Sequence, residues 1–258
     1  GAAHALRPSI ARAVAAAAAP ADPLQKLEAV HAGQEQILLA ADTFAQDRVQ
    51  RLRTALRLAG VSPLSASARA EEGPRGGPLI DADDPSALAA VLDVDPDFAR
   101  RIQHAAADLS EVQALSHAAQ RLPLAMPTDN TRRTSGFGVR VDPFTRHAAF
   151  HPGLDFAGAR MTPVHATAPG VVSFTGVRSG YGNTIEVDHG GGFKTRYAHL
   201  ASIGVSPGQR VALGARLGGM GSTGRSTGTH LHYEVWVNGR VQNPERFVRA
   251  GSYVLQGS

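Results

Sequence analysis

The segment His230-Leu231-His232-Tyr233-Glu234-Val235-Trp236-Val237-Asn238-Gly239-Arg240 decides the fold of the C-terminal half. Residues 231–237 form a β-rich run, and Asn238-Gly239 directly after it is a strong two-residue hairpin signal, because both central positions of such a turn need positive φ. A strand turns successive side chains to opposite faces. His230 and His232 therefore point one way, and Leu231 and Tyr233 the other.

Working outward, the same character extends back to Thr134. Short β-rich runs at 171–177, 184–188, 193–200 and 209–217 are divided by glycines. His189-Gly190-Gly191-Gly192 separates two of them and permits a longer hairpin. An antiparallel β domain over about residues 125–248 is expected.

Further back the composition changes, near residue 125, to one rich in Ala, Leu and Gln. Leu27, Val30, Ile37, Ala41, Phe44, Val49, Leu52 and Leu56 recur at spacings near three and four, which predicts one long amphipathic helix starting at Asp22-Pro23. Residues 60–86 gather Gly, Pro, Ser and Asp and read as a loop or linker. Ser86 can cap a short helix through Leu92. Asp95-Pro96-Asp97 can open a longer one carrying Phe98, Ile102, Ala105, Leu109, Val112, Leu115, Ala119 and Leu122. The two long helices are expected to pair as an antiparallel, coiled-coil-like hairpin that buries their apolar stripes against each other, although Gln34 and Arg48 on or near the seam argue against a long dimeric coiled coil. The fold class is then α+β and multidomain. Residues 1–122 form a helical region, regulatory or targeting, and residues 123–258 an antiparallel β-sheet domain.

Composition narrows the chemistry without naming it. No stretch of 18 or more apolar residues offers a membrane span, and the run at 13–19 is too short and weakly apolar. The chain opens at Gly1, so any export signal or membrane anchor is expected to lie upstream. A formal charge of +4, carried almost wholly by Arg, is a small excess for this length and argues against nucleic-acid binding. With no cysteine, disulfides and thiolate ligands are excluded, and a metal site must use His and carboxylates.

Those residue types gather in short motifs: His151-Pro152-Gly153-Leu154-Asp155, Tyr197-Ala198-His199 and His230-Leu231-His232. Pro152 and Gly153 make a regular helix unsuitable, so His151 and Asp155 belong on a bent strand end or loop that brings both heads together, as two ligands of one ion require. A catalytic zinc keeps its fourth position open for water. One of His230 and His232 is then better used for acid–base work than for coordination, and the same holds for His199. His4, His31, His104, His117, His147, His165 and His189 show no comparable pairing, and there is no H-E-x-x-H helix.

At these residues the sequence closely resembles the lysostaphin-type, or LytM-like, zinc endopeptidases. H-x-x-x-D and H-x-H are both intact, with Thr134-Ser135-Gly136-Phe137-Gly138-Val139-Arg140 ahead of the first and Gly221-Ser222-Thr223-Gly224 ahead of the second. Ala168-Pro169-Gly170-Val171-Val172, Gly180-Tyr181-Gly182-Asn183 and Asp188-His189-Gly190 match in order between them, and the likeness covers roughly residues 123–248. The resemblance implies that His151, Asp155 and His232 bind Zn2+, that His199 and His230 are the catalytic pair, and that the β domain has the LytM-like fold.

The resemblance further implies hydrolysis of peptide cross-bridges in bacterial peptidoglycan, with D-Ala to diaminopimelate as the expected bond. The alternative is a non-hydrolytic cell-wall binding protein or an activator of a cell-wall amidase. Peptidoglycan peptide stems are the expected partner, a regulatory protein at the helical half is another, and the location is the periplasm or cell envelope, with an inner-membrane anchor in the full-length protein. Arg140 and Asn183 are candidates for substrate contact, and residues 222–229 for one wall of the cleft.

Overall fold

The computed structural model describes residues 22–62, 85–92 and 94–255. The apolar run at 13–19, His4 and the central part of the Gly/Pro-rich segment lie outside them. The described residues divide into two compact units, one holding residues 22–53, 85–92, 94–116 and 254–255, the other residues 54–62 and 117–253.

The helix α1 (Pro23–Ala59), most of it in the first unit, begins where Asp22 Oδ1 accepts from the Leu24 N–H at 3.1 Å. A short α2 (Pro85–Leu92) starts at Pro85, so Ser86 lies inside it and not at its cap. α3 (Pro96–Gln120) opens on Asp95, whose Oδ1 accepts from the Asp97 N–H at 3.1 Å. The ion pairs Glu35–Arg101 and Arg53–Glu111 advance together along α1 and α3. The helices therefore run in the same sense, which corrects the expected antiparallel hairpin. Its physical reason is the connection: tight helical hairpins need a loop of about 2–5 residues, whereas residues 60–95 are enough chain to return to the starting end.

The expected mutual burial of the stripes also holds only in part. Ala45, Val49 and Leu52 on α1 and Ala99, Ala105 and Leu115 on α3 are buried, but Leu24, Leu27 and Val30 are more than half exposed. Glu35 already pairs near the start of α3, so those earlier residues extend past the shorter helix. No helix among the described residues is long and apolar enough to cross a membrane.

The second unit is antiparallel throughout. Its strands in chain order are β1 (Arg132–Ser135), β2 (Gly138–Val141), β3 (Ala148–His151), β4 (Leu154–Ala157), β5 (Pro163–His165), β6 (Gly170–Arg178) and β7 (Gly182–Gly190). They continue with β8 (Phe193–Ala198), β9 (Ser202–Ile203), β10 (Arg210–Val211), β11 (Arg216–Gly219), β12 (His230–Val237) and β13 (Arg240–Gln242), and α4 (Pro244–Leu255) follows. The main sheet runs β1-β4-β12-β8-β7-β6-β10, with β13 on β12; β5-β11-β9 and β2-β3 form smaller sheets.

Register divides the main sheet into a greasy and a polar face. Tyr233 lies opposite Leu154 on one side and Tyr197 on the other, and Ile185 opposite Tyr197, so these side chains share a face and are fully buried. The other face carries His232 directly between Asp155 on β4 and Ala198 on β8. The Asn238-Gly239 turn has φ of 49° and 75°, as its sequence demands. The glycine-rich turn is tighter than expected, since Gly190 pairs with Phe193 across Gly191-Gly192. The expected run at 209–217 splits in two, because residues 212–215 turn and pass the chain from the main sheet to the smaller one. α4 was not foreseen, although Asn243, whose Oδ1 accepts from the Glu245 N–H at 3.0 Å, stands before Pro244 as a start signal.

Candidate metal centre

His151 ends β3, Asp155 lies in β4 and His232 in β12, so the three come together because strand pairing puts His232 opposite Asp155 and the Pro152-Gly153 turn folds His151 back. That turn lies against β12 with no room to spare. A Cβ on Gly153 would meet the Tyr233 carbonyl at 2.5 Å and the His232 ring at 2.8 Å. His151 Nε2, Asp155 Oδ1 and His232 Nδ1 form a triangle with sides of 3.1, 3.1 and 2.9 Å, and all three residues are buried.

The outer nitrogens settle the tautomers. His151 Nδ1–H donates to the Gly136 carbonyl at 2.6 Å, and His232 Nε2–H donates to Glu234 Oε1 at 3.0 Å. Both inward nitrogens then present lone pairs to each other and to a carboxylate, an arrangement that a cation satisfies. Tetrahedral zinc, with bonds of about 2.0–2.1 Å, wants such donors roughly 3.3 Å apart. The donor set therefore fits a divalent zinc ion.

Electrostatics agree. Burial alone would raise the Asp155 carboxyl, but the imidazoles of His151 and His232 packed against it hold it well below the usual range. Burial would likewise lower His232, and the carboxylates of Asp155 and Glu234 outweigh it and raise that imidazole. Glu234 is itself fully buried, held by Tyr181 OH at 2.9 Å, Arg196 at 2.9 Å and the Trp236 indole at 2.7 Å.

His199 and His230 flank the triangle. Their rings are 4.7 Å apart, His199 is 5.8 Å from the His232 ring, and His230 Nε2 is 4.0 Å from Asp155 Oδ1. His199 Nδ1–H donates to the Thr223 carbonyl at 2.7 Å, and His230 Nδ1–H to the Gly228 carbonyl at 2.8 Å. Both leave Nε2 free. Burial pushes His199 down to about 4, so it is neutral near pH 7, and its backbone is held at φ 60°, an unusual value for a residue other than glycine.

All five predicted residues line one open cleft of ≈ 600 Å³. One wall is the β2–β3 hairpin, and the other is the loop from Arg225 to Thr229, the later part only of the expected 222–229. Arg140 lines the cleft too. Asn183 does not, since its amide donates to the Leu200 carbonyl at 3.0 Å and its N–H to Thr223 Oγ1 at 2.9 Å, which makes it a brace for the loop. Sequence reasoning missed Glu234, which stands two residues beyond His232 and so shares its face, and Tyr181, whose hydroxyl burial and Glu234 push up to about 12.

An antiparallel β domain with a buried His-Asp-His triangle and two flanking imidazoles is an arrangement suited to metal-assisted hydrolysis. Residues 149–244 match the model of Peptidase family M23. The chain is 45% identical over 118 residues to the DD-carboxypeptidase/endopeptidase Mpg of Neisseria meningitidis, covering 46% of this chain and 27% of that one. It is 43% identical over 131 residues to the peptidoglycan DD-endopeptidase ShyA of Vibrio cholerae, covering 50% and 30%. The chain thus spans less than a third of the length of these curated relatives. Among solved structures, the catalytic domain of lysostaphin from Staphylococcus simulans is 31% identical, with 47% of this chain and 94% of that one covered and a TM-score of 0.44. The match to Peptidase family M23 thus lies within the β domain, at residues 149–244.

Proposed function

We propose that the protein is a zinc-dependent endopeptidase of the cell envelope that hydrolyses peptide cross-bridges of peptidoglycan, with D-Ala to diaminopimelate as the bond. The observation that carries this is the meeting, in one open cleft, of a three-donor metal triangle with two imidazoles whose free Nε2 atoms lie beside it. The relatives' printed activities, DD-endopeptidase and DD-carboxypeptidase, support the choice of bond.

His151, Asp155 and His232 would hold the zinc, which supplies a Lewis acid that polarises the scissile carbonyl and acidifies water. His199, neutral and with its Nδ1–H tied to Thr223, offers Nε2 to take a proton from the attacking water. His230, anchored through Nδ1, places Nε2 to return a proton to the departing amine. Residues 1–122 serve as the regulatory or targeting region, where a regulatory protein would dock, and residues 123–258 as the peptidase domain. The location is periplasmic, with an anchor upstream.

Incubating the zinc-loaded protein with purified muropeptide dimers should release monomers whose masses identify the bond cut. Intact dimers would sink the reading. A protein acting only as a wall binder or amidase activator would keep its function after His232→Ala, whereas an endopeptidase would lose it.

A further inference from the structure

Two arginines line the cleft, and they are differently employed. Arg225 Nη2 reaches both oxygens of Asp142, at 2.9 and 2.8 Å, and the guanidinium stacks over Phe144. Arg140 has no such partner among the described residues. Its one ion pair is Nη2 to Asp155 Oδ2 at 3.6 Å, too long for a good hydrogen bond. Its Nε is buried without any hydrogen-bond partner. A buried unpaired donor calls for an explanation, and a ligand is one.

The position is set by register. Arg140 on β2 lies opposite Ala149, two residues before His151 on β3, so the guanidinium stands on the cleft wall next to the donor triangle. Asp155 cannot neutralise it fully, because Oδ1 faces the inward nitrogens of His151 and His232 at 3.1 and 2.9 Å, and a bound cation would draw on the same charge. What remains is a planar fork of donors facing the cleft, the geometry that takes a carboxylate through two parallel hydrogen bonds.

The geometry points to Arg140 as a carboxylate-binding residue that selects peptides bearing a carboxylate on the carbon next to the scissile amide nitrogen. This rests on the endopeptidase reading and names its substrate class. A diaminopimelate residue acylated through its distal amine keeps a carboxylate on that same carbon, and so does the last residue of any peptide. A glycine bridge or a lysine side-chain amide carries none there.

The test is calorimetric titration of the zinc-loaded chain with a stable product peptide ending the stem in diaminopimelate, offered with the distal carboxylate free or as a carboxamide. The free acid should bind about 10- to 100-fold more tightly, the worth of a charge-assisted hydrogen-bond pair. Arg140→Gln should erase the preference, Arg140→Lys should keep part of it, and zinc content should stay the same in both. Equal binding of acid and amide to the unsubstituted protein overturns the proposal. So does an Arg140→Gln protein that weakens both peptides alike, or one that loses zinc, which would make Arg140 a support for Asp155. Cleavage of muropeptide dimers is read separately: intact dimers count against the endopeptidase reading, while the acid-to-amide ratio still decides the role of Arg140.

Discussion

Glu234 Oε1 accepts the Nε2–H of His232 at 3.0 Å, and this fixes Nδ1 as the nitrogen that meets Asp155 and His151. The carboxylate orients a metal ligand without touching the ion. Glu234→Gln keeps the shape but can turn a donor toward the ring. Zinc affinity should fall by about 10- to 100-fold, as is usual when such an outer partner is lost. Competition with a chromogenic chelator measures it, and unchanged affinity would show that His232 needs no such support.

The flanking imidazoles are expected to matter for rate and not for metal. Because His199 and His230 are tied through Nδ1 to the carbonyls of Thr223 and Gly228, neither stands in the donor triangle. His199→Ala and His230→Ala should each lower kcat by about 10²- to 10⁴-fold, with one zinc still bound by metal analysis. A variant that loses its zinc would belong among the ligands instead.

Much of this site was legible because strand alternation and turn chemistry are local rules. The His230/His232 alternation and the Asn238-Gly239 turn place β12, and Pro152-Gly153 brings His151 back toward Asp155. What escaped was of two kinds. The carbonyls of Gly136, Thr223 and Gly228 orient three of the histidines, yet a backbone oxygen leaves no mark in residue identity. The direction of α3 beside α1 depends on a long connection and not on either helix, so two amphipathic stripes could not tell parallel from antiparallel.

His189 gives a pH signature outside the cleft. Its Nδ1–H donates to the Pro169 carbonyl at 2.8 Å, its Nε2 is 2.8 Å from Thr195 Oγ1, and burial lowers its affinity for a proton. A histidine depressed in the folded state contributes stability that is present above its unfolded value of about 6.5 and is lost as pH falls toward the folded value. Urea unfolding should therefore show the protein weakening below about pH 6.5. His189→Gln, which can still donate to Pro169, should cost about 1 kcal/mol at pH 7.5 and flatten part of that slope. An identical pH profile in the two proteins would remove His189 from the account.

The Asp142–Arg225 pair joins the two walls of the cleft, from the tip of the β2–β3 hairpin to the loop that carries His230's anchors. Arg225 is half exposed, so the pair adds little to global stability. Its effect should be on position: without it, Gly228 and Ser226, which lie 2.8 and 3.2 Å from His230 Nδ1, lose the strut that holds their loop. Arg225→Ala is expected to leave the melting temperature nearly unchanged and the zinc in place, while kcat falls roughly 10-fold, the scale at which a slightly misplaced group costs rate. Asp142→Ala should do the same, and the double variant should be no worse than either single one. If the two losses multiply instead, the residues act separately and the strut plays no part in placing His230.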